Sequence, residues 1–326
     1  MSVSIHDIRA AARRLAGHVR QTPILSSPAL DAIAGRRVLV KAENLQETGS
    51  FKARGAWAAI SNLSDIQKEL GVIAYSSGNH AQGVARAARA HQCPAVIVMP
   101  SDAPTAKING TRALGAEVVL YDRAHEDRNA IGTQIAQERE LTLIKPYDDP
   151  RVIAGQGTVG LEIANAARPL DAASAEVLVP SGGGGLLAGI ALALEHDAPG
   201  MRARPVEPDG FDDIARSLAS GTVQRNTQLS GSICDAILTP EPGALTFPII
   251  QRLCGPGLVV REEECLRAMA LAFHHLKIVL EPGGATALAA ALFHPGTLEG
   301  DSVFVVATGG NVDVPIFTRA LEYLDQ

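Results

Sequence analysis

Cysteine is scarce in this chain, aromatic residues make up only 4% of it, and basic residues do not outnumber acidic ones. Each shortage excludes something. The four cysteines, Cys93, Cys234, Cys254 and Cys265, are widely spaced and form no C-x-x-C pair, which argues against a disulfide framework or structural zinc site and fits a reducing cytoplasm. Only 29 Lys and Arg face 35 Asp and Glu, with no long basic run, so the cationic surface that nucleic acid binding needs is missing. No apolar run approaches the roughly 20 residues of a membrane-spanning helix. The stretch 4–20 reads as an amphipathic helix carrying Asp7, Arg9, Arg13 and Arg14, rather than a signal peptide with an uninterrupted apolar centre. No low-complexity segment or solenoid repeat is visible. The expectation is a soluble, cytoplasmic protein with a small-molecule substrate.

What is present is apolar substance: 46% of 326 residues are hydrophobic, enough for two compact domains. From Gly71 to Ile144 strand and helix alternate. Strands are expected over Val72–Tyr75, Ala95–Met99, Glu117–Tyr121 and near Leu143, and helices over 81–90, 104–114 and 126–140. This is βαβ repetition, whose parallel sheets bind ligands beyond the carboxyl ends of their strands. A second α/β region, with strands at Val177–Val179 and Val303–Ala307 and a helix over Leu186–Glu195, is expected to recruit Val38–Lys41. The organisation is therefore a discontinuous large domain, 1–66 and 149–326, enclosing a small inserted domain, 67–148.

Three segments carry chemistry. In Ser50-Phe51-Lys52-Ala53-Arg54-Gly55-Ala56 a lysine follows an aromatic residue where a helix begins. A desolvated lysine beside another cation has a lowered pKa and can act as a nucleophilic amine; alone, the segment reads equally as solvated surface. In Val179-Pro180-Ser181-Gly182-Gly183-Gly184-Gly185-Leu186 an apolar strand runs through four glycines into a helix. Such a loop wraps an anion with backbone N–H groups at a helix N-terminus. It also fits a dinucleotide fingerprint, Gly183-x-Gly185-x-x-Ala188 with Glu207 at ribose-binding distance, so this motif alone leaves an NAD-dependent oxidoreductase open. Against that stands its position deep in the chain. In Tyr75-Ser76-Ser77-Gly78-Asn79-His80-Ala81 small and polar residues follow a strand and precede a helix, as a carboxylate site or an ordinary helix cap would. A further glycine turn, Thr308-Gly309-Gly310-Asn311, ends a late strand.

Taken together, SFKARGA, SSGNHAQGVA, VPSGGGGLLAG, VEP, LEPGGA and TGGN resemble, over nearly the whole chain, the serine/threonine dehydratase and serine racemase family of fold-type II pyridoxal-phosphate (PLP) enzymes. The resemblance implies two doubly wound α/β domains with the cofactor in the cleft between them, and a homodimer. It implies Lys52 as Schiff-base lysine and base, with Phe51 beside the ring, Asn79 on the ring hydroxyl, Gly182, Gly183, Gly184 and Gly185 around the phosphate, and Thr308 at the pyridine nitrogen. Ser76, Ser77, Gly78, Asn79 and His80 would hold the substrate carboxylate. The activity implied is an ammonia-lyase (dehydratase) acting on L-threonine, L-serine or a 3-hydroxy amino acid such as 3-hydroxyaspartate. A hydroxyl at the ring nitrogen makes a weaker electron sink than an acid would, which favours β-elimination. Ser77, where many dehydratases have alanine, matches the acid/base serine of racemases, so a racemase with Lys52 and Ser77 on opposite faces is the alternative. Glu207, Phe211 (through its carbonyl) and Asp213 resemble a divalent-cation site suited to Mg²⁺ or Ca²⁺; a solvated acidic loop accounts for them otherwise. Arg128 aligns with a substrate-contacting arginine of racemases, though a surface helix position explains it equally. Two departures, Cys234-Asp235-Ala236 for the usual A-D-G and Gly283 for the usual serine, fall near the expected site. The chain stops too early for the regulatory domain of biosynthetic threonine dehydratases, so allosteric control by isoleucine is not expected.

Overall fold

The computed structural model describes residues 3–76, 78–103, 105–122 and 125–324. Among these, ten strands form: β1 (Ile24–Leu25), β2 (Arg37–Lys41), β3 (Val72–Tyr75), β4 (Ala95–Pro100), β5 (Glu117–Tyr121), β6 (Thr142–Leu143), β7 (Glu176–Pro180), β8 (Arg202–Pro208), β9 (Leu258–Val260) and β10 (Ser302–Val306). They make two sheets, β1-β2-β10-β7-β8-β9 and β5-β4-β3-β6. Every pairing is parallel except that of β1 with β2. Parallel neighbours need long crossovers, and helices supply them, covering both faces. That is why β4 is buried at all six positions and reads as a continuous apolar run. β2 joins the larger sheet by pairing with β10, Val38 opposite Val303, as the early apolar strand required.

Element bounds follow the sequence closely, with one informative shift. The helix expected from Ala81 begins at Asn79, with Gly78 as its N-cap. Asn79 and His80 look like turn formers, but tertiary packing buries both and draws them into the first helical turn. Among the described residues no helix is long and apolar enough to cross a membrane.

The helices Pro150–Ala167 and Gly185–Asp197 pack backbone to backbone beneath the larger sheet. A Cβ on Gly189 would lie 2.6 Å from the backbone nitrogen of Gly157, so only glycine permits this separation. Against the first of these helices lies the helix Lys52–Ser61, held by a buried ion network. Arg54 donates to both carboxylate oxygens of Glu43, at 2.8 and 2.7 Å, and to Glu162 at 2.6 Å. Lys41 pairs with Glu162 and donates to the Thr22 carbonyl. Lys41, Glu43 and Arg54 are fully buried. Burial raises the Glu43 carboxyl, but Arg54, Lys41 and Thr22 outweigh it and hold the pKa below normal. Two cations and two carboxylates leave the cluster neutral, which makes its burial tolerable.

Removing one member would strand a buried charge. Arg54→Met is expected to destabilise the protein by about 3–5 kcal/mol, read as a drop in urea midpoint at unchanged slope; a change below about 1 kcal/mol would show that Glu43 and Glu162 are satisfied without it.

Candidate active site

A cavity of about 540 Å³ opens where the carboxyl ends of the two sheets meet, with Tyr75 and Ser76 at the end of β3 on one wall and Pro180 and Ser181 at the end of β7 on the other. Lys52 faces it from the first position of its helix. Its Nζ donates to the Pro146 carbonyl at 2.9 Å and sits 5.0 Å from the Phe51 ring centre. Burial lowers its pKa to about 8, against the opposing pull of the Glu281 carboxyl. The helix N-terminus adds positive potential in the same sense. The sequence reading credited a neighbouring cation for this shift; that is corrected here, because the Arg54 charge is spent on Glu43 and Glu162 and burial dominates.

The glycine run forms the opposite wall. Gly184 is the N-cap of the helix Gly185–Asp197 with φ +86°, a left-handed conformation that favours glycine. The Gly183 carbonyl is turned away, accepting from the Thr246 hydroxyl at 2.7 Å and the Gly243 N–H at 3.2 Å. Among the described residues the N–H groups of Gly182, Gly183, Gly184 and Gly185 have no protein acceptor. This leaves a cradle of donors at a helix N-terminus, suited to a phosphate. The Tyr147 ring lies over it, so that a Cβ on Gly183 would come within 2.3 Å of that ring.

Between these walls lies the segment after β3. The Ser76 hydroxyl accepts from the Gly78 N–H at 3.2 Å; Ser77 lies outside the described residues. Asn79 donates to Glu281 at 2.6 Å and accepts from Asn311 at 2.7 Å. His80 is buried, its Nε2–H donating to the Ile144 carbonyl at 2.8 Å, which leaves Nδ1 as a buried acceptor with no partner among the described residues. Burial, then the Lys52 charge, lowers its pKa to about 3, so it is neutral.

Lys52, Phe51, Gly182–Gly185, Ser76, Gly78, Asn79, His80 and Arg128 all line this one cavity. Arg128 does so as an exposed side chain. Thr308 does not line it; it is buried at the end of β10, its carbonyl accepting from the Phe51 N–H at 3.1 Å. Two groups in the wall escaped the sequence: Glu281, raised to about 7 by burial against its bond from Asn79, and Tyr147. Nothing local marks either one. The two departures from the family pattern meet here, since a Cβ on Gly283 would lie 3.4 Å from that of Ala236.

Glu207 and Asp213 lie elsewhere, and both are buried. Glu207 accepts from the Ile214 and Ala215 N–H groups at 2.9 and 2.7 Å, capping a helix. That use leaves no carboxylate for a ribose and removes the support for the dinucleotide alternative. Burial raises both carboxyls, Asp213 to about 7. Among the described residues no group of three or more His, Cys, Asp or Glu side chains gathers to hold a metal.

A family model described as pyridoxal-phosphate dependent enzyme matches residues 15–309. The chain is 44% identical over 319 residues to an L-threo-3-hydroxyaspartate ammonia-lyase of Pseudomonas sp, covering 98% of both chains. It is 41% identical over 308 residues to the enzyme of that name from Saccharomyces cerevisiae, covering 94% of this chain and 93% of that one. The maize serine racemase structure superposes with a TM-score of 0.90 at 34% identity, covering 100% of this chain and 99% of that one.

His80 gives the site a pH signature. Its pKa is depressed from 6.5 unfolded to about 3 folded, so the unfolded chain binds the extra proton in between. Its contribution to stability is complete above pH 6.5 and is lost as pH falls toward 3. His80→Asn is expected to lose less urea resistance than wild type over that window; parallel curves would mean that His80 is protonated in the fold.

Proposed function

The chain belongs to the pyridoxal-phosphate dependent enzyme family, and from that premise we propose that it is an ammonia-lyase, a carbon–nitrogen lyase that converts L-threonine, L-serine or a 3-hydroxy amino acid such as 3-hydroxyaspartate to the keto acid and ammonia. The observation that carries this is a desolvated Lys52 across one cleft from a cradle of unpaired glycine N–H groups.

Bound pyridoxal phosphate supplies a ring that withdraws the electron pair left on the substrate's α-carbon. Lys52 carries the cofactor and, once released from it, takes the α-proton; burial keeps its amine largely uncharged near pH 8, as a base requires. Gly182 to Gly185 receive the phosphate on backbone donors, and Phe51 bounds the ring. Asn79 reaches the ring oxygen. The N–H groups and hydroxyls of Ser76 to His80 hold the substrate carboxylate at a helix N-terminus. The 3-hydroxyl leaves as the α-proton is removed, and hydrolysis of the released enamine gives keto acid and ammonia. Thr308 belongs at the ring nitrogen in this reading, supported by its place beneath Phe51. Arg128, the exposed cation on the wall, suits a second substrate carboxylate. A cleft between two separate sheets supports residues 67–148 as the inserted domain within 1–66 and 149–326. The reading extends to a cytoplasmic homodimer, for which the exposed apolar Phe273, Val279 and Val314 offer surface.

A racemase is the second reading, favoured by the likeness to the maize serine racemase and by the serine at position 77, which would face Lys52 across the α-carbon.

We also propose a Mg²⁺ or Ca²⁺ ion at Glu207, Asp213 and the Phe211 carbonyl. The support is Asp213 Oδ2, buried and without a partner among the described residues, beside a second buried carboxylate. Added Mg²⁺ or Ca²⁺ is expected to raise the melting temperature and EDTA to lower it, both effects vanishing in Asp213→Asn. A flat response would remove the ion from the reading.

Purified wild type given pyridoxal phosphate is expected to develop a visible band that borohydride bleaches, forming with a midpoint near pH 8, while Lys52→Ala develops none. Keto acid should then appear with L-threonine, L-serine or L-threo-3-hydroxyaspartate, and chiral analysis of residual serine measures racemisation. Arg128→Ala should reduce kcat/KM for hydroxyaspartate about tenfold more than for threonine. A protein that stays colourless would sink the proposal.

A further inference from the structure

Asn79 is clamped at both ends of its amide, and the orientation of that amide follows from its partners. The Thr48 carbonyl can only accept, so the atom of Asn311 that meets it at 2.8 Å is the nitrogen. The same nitrogen gives its other hydrogen to Asn79 Oδ1 at 2.7 Å. Asn79 therefore presents oxygen to Asn311 and nitrogen to Glu281 Oε1 at 2.6 Å. An amide nitrogen carries two hydrogens. One is spent on Glu281, and one is left on a side chain that lines the cleft.

The placement of Glu281 suits this task and no local one. It is the N-cap of the helix Pro282–Phe293, where a carboxylate ordinarily accepts from the first-turn N–H groups, yet it makes no such bond. Its side chain turns instead to Asn79, 202 positions away in sequence. The space it occupies is kept by a glycine, because a Cβ on Gly309 would lie 2.0 Å from Glu281 Oε1. Lys52, Lys107 and Asp235 are the charged groups that act on it.

We propose that Glu281 is a positioning residue of the cofactor site, holding the nitrogen end of the Asn79 amide so that its remaining N–H meets the ring oxygen of pyridoxal phosphate. This rests on the cofactor reading above. Glu281 does not touch the reacting atoms; it acts through Asn79, and without it the amide is restrained at its oxygen end alone.

The test uses the full chain stripped of cofactor and titrated with pyridoxal phosphate, with affinity and the visible absorption band as readouts. Glu281→Ala should weaken binding about tenfold, the equivalent of one hydrogen bond, and shift intensity between the visible and near-ultraviolet bands, because donors to the ring oxygen set its ionisation. Glu281→Gln keeps an acceptor at the same reach and should stay within about threefold of wild type. In an Asn79→Ala background Glu281→Ala should add less than about twofold, since both act through one contact. Circular dichroism checks the fold. Should the alanine variant fail to fold, Glu281→Asp, one methylene too short to reach Asn79, should show the same loss. Alanine and glutamine variants that behave alike, or an undiminished effect of Glu281→Ala without Asn79, would overturn this inference while leaving the cofactor reading intact. A wild type that acquires no visible band would overturn both.

Discussion

A guanidinium buried two residues past Lys52 is the constraint on which the site depends. Burying one charge costs several kcal/mol unless partners are held at hydrogen-bonding distance, and Arg54 finds them on elements far apart in sequence. Glu43 follows β2, Glu162 lies in the helix Pro150–Ala167, and Lys41 ends β2 itself. The Lys52 helix therefore cannot slide or rotate at its N-terminal end without exposing an unpaired ion. Lys52, one turn-edge away, inherits a fixed position. The two cations also show how surroundings decide charge. Arg54 is surrounded by carboxylates and keeps its proton, whereas Lys52 has only the Glu281 carboxyl and the Pro146 carbonyl, and burial wins.

The second constraint is backbone proximity. The glycine run can offer N–H groups to an anion because its carbonyl at Gly183 is engaged elsewhere, by Thr246 and Gly243. Asp148 braces the same turn by accepting from the Leu245 N–H at 2.7 Å. Tyr147, its neighbour, covers Gly183. The turn after β6 thus closes over the loop after β7, which ties the two sheets together at the place where their strand ends converge.

The sheet strands were legible because parallel strands buried on both faces leave unbroken apolar runs; Val72–Tyr75 and Glu117–Tyr121 agree with the structure at both ends. The glycine run and Lys52 were legible because their chemistry is local, a strand or aromatic residue followed by a helix start. Glu281 was not. Its role exists only through Asn79, and a glutamate before Pro282 reads in sequence as a helix cap that the structure leaves unused. Arg54 was seen but given the wrong task, since its carboxylate partners lie 11 and 108 positions away. Glu207 likewise kept a dinucleotide possibility alive until its carboxylate was found capping a helix.

The ionisation of the cleft follows from these placements. His80 is neutral with its proton committed to Ile144, so it adds no charge however the site is filled. Lys52 and Glu281 both sit near the middle of their titrations around neutrality, each shifted toward its uncharged form by burial and each favouring charge in the other. A dianionic group settling on the glycine N–H groups would favour the protonated state of both, by the same Coulomb term acting on an amine and a carboxyl. The carboxyl would then cease to repel that anion, while the amine would gain a proton it must shed again to act as a base. The distance between the phosphate cradle and Lys52 is therefore a compromise. Glu281 lies on the lysine side of it, bonded to Asn79 and shielded from water by Gly309, where its charge can change without moving any backbone.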